Sequence, residues 1–115
     1  MLQQQDDKKK GGLGMLQLNE KDNVAVAIEN CSRNVKVVVK APKPHAGFDI
    51  VPISDIPFGH KISLSDMKAG DIIVKYGRPI GRATEAIPKG QLVGVHNIEG
   101  LRGRGDLKTS GRNSK

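Results

Sequence analysis

The side chains of this 115-residue chain that could move a proton or hold an anion are few. There are three histidines, His45, His60 and His96, and none stands at a local metal-ligand spacing from another. No His-x-His, HExxH or Cys-x-x-Cys occurs, so no metal held by this chain alone is expected. His45 lies in the proline-rich stretch PKPHAGFD, where an exposed loop residue is expected. His60 follows Gly59 and opens a strand, and His96 closes the stretch LVGVHN. Each of these two is either a hydrogen-bonded structural residue or a proton donor, acceptor or anion contact at one end of the fold. Asn97, next to His96, can bond local backbone. Lys61, Lys75, Arg78 and Arg82 could hold a carboxylate. Arg78 is the best placed by sequence, since Gly77 and Pro79 flank it in a turn and an arginine fork can grip a carboxylate with two parallel hydrogen bonds.

Other chemistry is absent from the sequence. No serine sits in a G-x-S-x-G setting, and no G-x-x-x-x-G-K-[ST] phosphate loop occurs. GLRGRGD, from Gly100 to Asp106, has glycine spacing but follows no strand-to-helix junction. Cys31 is the only cysteine, so an intramolecular disulfide is impossible and a reducing compartment is suited.

The elements that must carry these residues read as short strands. Asn23–Ile28 alternates small and apolar residues and is expected to be a buried strand. CSRN is a turn. Val35–Ala41 is β-branched and free of breakers, so it is a strand. PKPHAGFD is a loop, and Pro52 interrupts a short strand in IVPISDI. Three similar segments follow: Ile56–Leu64, Met67–Tyr76 and Ile87–Val95. Each starts with an apolar residue three places before a glycine and then runs into a strand. Pro at the second position and Gly at the fourth predict a type I turn in two of them. DMKAG allows a short helical turn instead, capped by Ser65 or Asp66. The duplication suggests pseudo-symmetry within one domain. No long apolar stripe of helical period appears, so an all-β sandwich or barrel-like fold is expected.

Composition agrees with one small domain. Aromatics are Phe48, Phe58 and Tyr76, so the core must be aliphatic. The formal charge is +7, unevenly spread. Residues 100–115 hold five Lys/Arg against one Asp, while residues 15–99 hold eleven against nine acids. A nearly balanced folded part with few aromatics argues against nucleic-acid binding. Residues 1–14 are expected to be a disordered leader or a cloning remnant, 15–99 the domain and 100–115 a basic flexible tail. No apolar run approaches the ~18 residues of a membrane span, and no signal peptide is visible, so the cytoplasm is the expected location.

Three stretches taken together carry a resemblance: IPFGHKISL, DMKAGDIIVKYGRPIGRA and the closing VHN. In order and spacing they resemble the small SAF-type domain of the altronate and galactarate dehydratase family. That domain is also found as the separate small subunit of two-component lyases such as sulfolactate sulfo-lyase. The resemblance runs from about Asn23 to Asp106. It implies a mostly β, compact β-clip fold. It implies a small subunit or detached N-terminal domain of a hydroxy-acid dehydratase or lyase, inactive alone, beside a large iron-dependent catalytic partner. Iron is expected in that partner, with no cofactor held by this chain. The positions that match the family pattern toward a shared anionic hydroxy-acid site are His60, Lys61, Tyr76, Arg78 and His96. Members of the family often carry alternating histidines before the final HN, where this chain has Leu92 and Gly94. SAF-like domains also resemble antifreeze proteins and assembly chaperones, so a non-enzymatic binding or assembly module is the alternative.

Overall fold

The computed structural model describes residues 13–101. The expected leader and basic tail lie outside them, apart from Leu13, Gly14, Gly100 and Leu101. Among the described residues nine strands follow one another: β1 (Leu13–Leu16), β2 (Val24–Ala27), β3 (Val37–Lys40), β4 (Phe48–Ile50), β5 (Lys61–Ser63), β6 (Ile72–Lys75), β7 (Arg78–Ala83), β8 (Leu92–Val93) and β9 (Ile98–Gly100). They form a six-stranded sheet of order β4-β3-β1-β2-β5-β8 and a three-stranded sheet of order β6-β7-β9. Only β1–β3 is parallel; the other pairs are antiparallel. The mostly β fold expected from the sequence is therefore found.

Burial follows the alternation of small and branched residues. One cluster gathers Met15, Val39, Ile50, Ile56 and Ile62 with Cys31 and neighbouring alanines. A second gathers Val24, Met67, Ile73, Ile87 and Val93. No aromatic residue belongs to either cluster, and Phe58 and Tyr76 are 66% and 63% exposed. The core is aliphatic, as composition requires.

The duplicated segments do form one repeated device. Backbone turns close from Pro57 O to His60 N (3.0 Å), Lys68 O to Asp71 N (3.0 Å) and Pro88 O to Gln91 N (3.1 Å). The third residue of each is a glycine of positive φ: Gly59 (+84°), Gly70 (+95°) and Gly90 (+90°). Positive φ at that place is the geometry of a type II turn. The expected type I turn is thus corrected: the turn begins one residue later, at Pro57 or Pro88 rather than Ile56 or Ile87. Lys68–Asp71 takes the same form, so the helical alternative for DMKAG does not occur.

A fourth copy is hidden in CSRN. Ser32 O accepts from Val35 N (3.1 Å), and Asn34, at φ 67°, holds the place of the glycine. Asparagine tolerates this left-handed conformation, which explains why glycine spacing did not mark the repeat. The four copies pair two by two. Cys31 and Ile56 exchange both backbone bonds at 2.8 Å, and Met67 and Ile87 exchange theirs at 2.8 and 2.9 Å. Around the first pair, Asn30 accepts from Phe58 N (2.8 Å) while Asp55 accepts from Arg33 N (2.9 Å). Asp66 does the same for Lys89 N (2.8 Å) in the second pair.

Two local expectations change. Phe48 and Asp49 belong to β4, where Phe48 pairs Val39 and Asp49 pairs Val38, so the loop is shorter than PKPHAGFD. Arg78 is not inside a turn but opens β7 opposite Lys75. The turn residues are Tyr76 (φ 60°) and Gly77 (φ 72°), whose paired positive values make a type I′ hairpin.

Candidate functional site

The first turn of the repeat leads straight into the site. His60 N closes the turn, and His60 O accepts from Ala27 N (2.8 Å), which fixes the entry into β5. The exposed imidazole places Nδ1 3.4 Å from Phe58 O, a contact in which an N–H there would donate. Lys61 then begins β5 between Val26 of β2 and Val93 of β8.

The opposite wall is built by β8 and the turn after it. Asn97 is 2% exposed, and its side chain holds that turn from both sides. Gly94 N donates to Asn97 Oδ1 (3.0 Å), and Asn97 Nδ2 donates to Leu92 O (2.9 Å). Asn97 N also donates to Gly94 O (3.0 Å). The sequence expectation that Asn97 bonds local backbone is met. The locked turn projects Val95, 98% exposed, and His96. The His96 ring folds back over Gly94, with Nδ1 3.6 Å from where a Cβ on Gly94 would stand.

Between these walls lies a cleft of about 450 Å³, lined by Gly59, His60, Lys61, Leu92, Val93, Gly94, Val95, His96 and Ile98. Its walls are mostly aliphatic, and among the described residues its side-chain polar groups are one amine and two imidazoles, with no acid. Burial pushes the half-buried Lys61 amine below the ordinary lysine value of 10.5, and the positive charge of Lys75 pushes it further the same way. Among the described residues no carboxylate pairs with Lys61 or Lys75. Two neighbouring cations without an acid leave a local excess of positive charge that an anion would relieve.

The structure therefore brings His60, Lys61 and His96 together. Tyr76 and Arg78 do not line the cleft; they sit on the β6–β7 hairpin, and Lys75 is the hairpin residue whose charge acts on Lys61. Arg82 faces Glu99 as an ion pair at 3.8 Å, with its buried Nε making no hydrogen bond among the described residues. His45 is exposed and meets Glu20 at 2.7 Å, on another part of the surface.

Asp22, which sequence reading passed over, organises the hairpin. It is 6% exposed, and its carboxylate accepts from Asn19 N (3.0 Å), Tyr76 N (3.0 Å) and Gly77 N (2.8 Å). Asn23 continues the clamp, accepting from Val74 N (2.8 Å) and donating to Ile72 O (2.9 Å). The only signal for this was an Asp-Asn pair before a strand, since both side chains readily substitute for backbone partners. No group of three or more His, Cys, Asp or Glu among the described residues could hold a metal ion.

Known proteins share this framework. The chain is 39% identical over 85 residues to altronate dehydratase of Bacillus subtilis, covering 73% of this chain and 16% of that protein. It is 33% identical over 78 residues to galactarate dehydratase (L-threo-forming) of Escherichia coli, covering 68% of this chain and 14% of that protein. It is 36% identical over 55 residues to the (2R)-sulfolactate sulfo-lyase subunit alpha of Paracoccus pantotrophus, covering 48% of this chain and 82% of that subunit. The chain thus spans about a sixth or less of the two dehydratases. The model of the altronate/galactarate dehydratase SAF domain matches residues 13–101, the same span that carries the four turns, the hairpin clamp and the cationic cleft, and the chain belongs to that family.

Proposed function

We propose that this chain is the SAF-domain component of a hydroxy-acid dehydratase or related lyase. It acts with a large iron-dependent catalytic subunit or domain, and its cleft receives the carboxylate of an anionic hydroxy acid. The observation that carries the reading is Lys61: a half-buried amine with a second lysine nearby, two imidazoles in the same cleft and no acid partner among the described residues. The relatives' names supply the reaction class, since they are dehydratases of sugar acids and a sulfo-lyase subunit.

Elimination needs a base for the α-proton and an acid for the leaving group. An iron ion would supply Lewis acidity for the departing oxygen. The donor set of the described residues does not fit an iron site, so that ion is assigned to the partner and no step here runs through it. In this reading Lys61 binds the carboxylate, His60 and His96 flank it, and Tyr76 and Arg78, on the hairpin outside the cleft, meet the partner or the rest of the substrate. Phe58 and Val95, exposed at the two turns that frame the cleft, are the apolar contacts a covering partner would take. The single cysteine, free and buried, suits the cytoplasm as the setting.

The test is reconstitution. The chain alone is expected to be inactive, and co-expression with a large dehydratase catalytic subunit should restore elimination on a panel of sugar acids and sulfolactate. A stable pair that turns over none of them would sink the proposal and favour the non-enzymatic binding or assembly module.

A further inference from the structure

Lys61 has more than the features of an anion contact. A plain salt-bridge lysine is long, solvated and paired, as Lys36 is with Asp49 at 3.7 Å. Lys61 instead emerges at the start of β5, half-buried in a cleft also lined by Leu92, Val93 and Ile98, with no acid among the described residues that line it. The titratable groups that share its surroundings are His60 from its own turn, His96 from across the cleft and Lys75 from the hairpin.

We propose that Lys61 is a carbonyl-reacting amine, condensing with the keto group of a short 2-oxo carboxylate held in this cleft to form an imine. The inference rests on the reading of the cleft as a carboxylate site and goes beyond it. Lysines become nucleophilic when desolvated in an apolar pocket or set beside another cation, and Lys61 has both. Both influences favour the neutral amine, which alone carries the lone pair for attack.

The step balances without an external oxidant or reductant. The neutral Nζ attacks the carbonyl carbon, and the carbon–oxygen π pair moves to oxygen, which takes a proton. The carbinolamine then loses its hydroxyl as water after a second protonation, and the nitrogen gives up its protons in turn. Amine and ketone become imine and water. His60 and His96 line the same cleft, and an imidazole, able both to donate and to accept a proton, can relay those protons. The ligand class also follows from the chemistry proposed above. Removing water from a 2,3-dihydroxy acid leaves an enol, which ketonises to a 2-oxo acid.

The experiment uses the full chain with pyruvate and sodium cyanoborohydride near neutral pH, read by intact mass and peptide mapping. The expected result is one reduced pyruvyl adduct, on Lys61, in several-fold excess over any other lysine. Lactate, which has the carboxylate and lacks the carbonyl, should suppress it. Lys61→Arg should abolish it, and Lys75→Met should reduce it several-fold with an unchanged circular dichroism spectrum. Labelling spread evenly over the lysines overturns the proposal. A separate titration with lactate, read on the His60 and His96 ring resonances, reports the carboxylate site by itself. Shifts there with no Lys61 adduct overturn the imine while supporting the anion site; neither shifts nor adduct overturns both.

Discussion

Replacing Asp22 by alanine should cost more stability than its place in a connecting turn suggests. The carboxylate accepts three backbone N–H groups, from Asn19, Tyr76 and Gly77, at 2.8–3.0 Å. Hydrogen bonds to a charged group contribute about 1.5–3 kcal/mol each, so the simple sum is roughly 4–9 kcal/mol. The sum overstates the loss, because Tyr76 is 63% exposed and water can reach the freed hairpin donors. We expect about 3 kcal/mol for Asp22→Ala, which is a shift of roughly 12–24 °C in Tm for a domain of this size. Asp22→Asn keeps one acceptor oxygen and should lose about half as much. Urea melts followed by circular dichroism measure both, with an unchanged slope showing that the folded and unfolded states are otherwise the same. The consequence for the site is local. Tyr76 is a bulky residue at φ 60°, a conformation it does not favour, and the Asp22 clamp is what over-determines it. A loss below about 0.5 kcal/mol for Asp22→Ala would refute the argument that this carboxylate holds the hairpin.

Three further outcomes follow from the same geometry. Lys61→Met should raise the thermal midpoint at neutral pH: the amine is depressed in the folded chain, so the unfolded chain binds its proton more tightly, and stability rises with pH between the folded value and the ordinary 10.5. The advantage of the variant should therefore shrink as melts are run toward pH 10.5, and a gain that grows with pH would contradict it. Gly90→Ala should cost roughly 2–4 kcal/mol, since its Cβ would meet Val51 O at 2.9 Å on top of the positive φ. Gly59→Ala, with nothing within 4 Å, should cost only about 1 kcal/mol in the same denaturant assay. Asn97→Ala removes two side-chain bonds from a buried position and should cost about 2–3 kcal/mol while broadening the His96 amide signal in NMR spectra.

What the sequence disclosed depended on whether a feature was local. Pro57 and Pro88 with their following glycines announced the repeated turns, and the β-branched run at Val37–Lys40 announced a strand. CSRN reads as a turn, and the structure agrees, but its membership of the repeat is hidden because Asn34 does a glycine's work and Cys31 an aliphatic's. His60 and Lys61 were adjacent in the chain and were placed together. Their meeting with His96 depends on β5 pairing β8, a contact across about thirty residues that no local pattern encodes. Asp22 was missed for the same reason, since its partners Tyr76 and Gly77 lie more than fifty residues away. Tyr76 and Arg78 were grouped with the histidines by motif, whereas the hairpin holds them apart from the cleft lining.

The four turns also explain how a small framework can carry a site without being weakened by it. Their hold on the fold is backbone: the turn glycines donate to Ala27 O, Ala83 O and Ser63 O at 2.8–2.9 Å, and the next residues accept from the same strands. Side chains at the second place of a turn take no part in that ladder, and at the fourth place Asp71 bonds its own turn, accepting from Lys68 N (2.8 Å). In three copies the second place holds Arg33, Ala69 and Lys89, residues suited to solvent. In the remaining copy it holds Phe58, and the fourth place holds His60, directly before Lys61. That copy alone places an exposed aromatic ring where the other three place a cation or a methyl group. A repeated backbone with one divergent set of side chains is the pattern expected when stability is carried by the repeat and recognition by the exception. Phe58→Ser and His60→Gln should then change binding to an anionic ligand or a catalytic partner while moving stability by less than about 0.5 kcal/mol, as surface substitutions do.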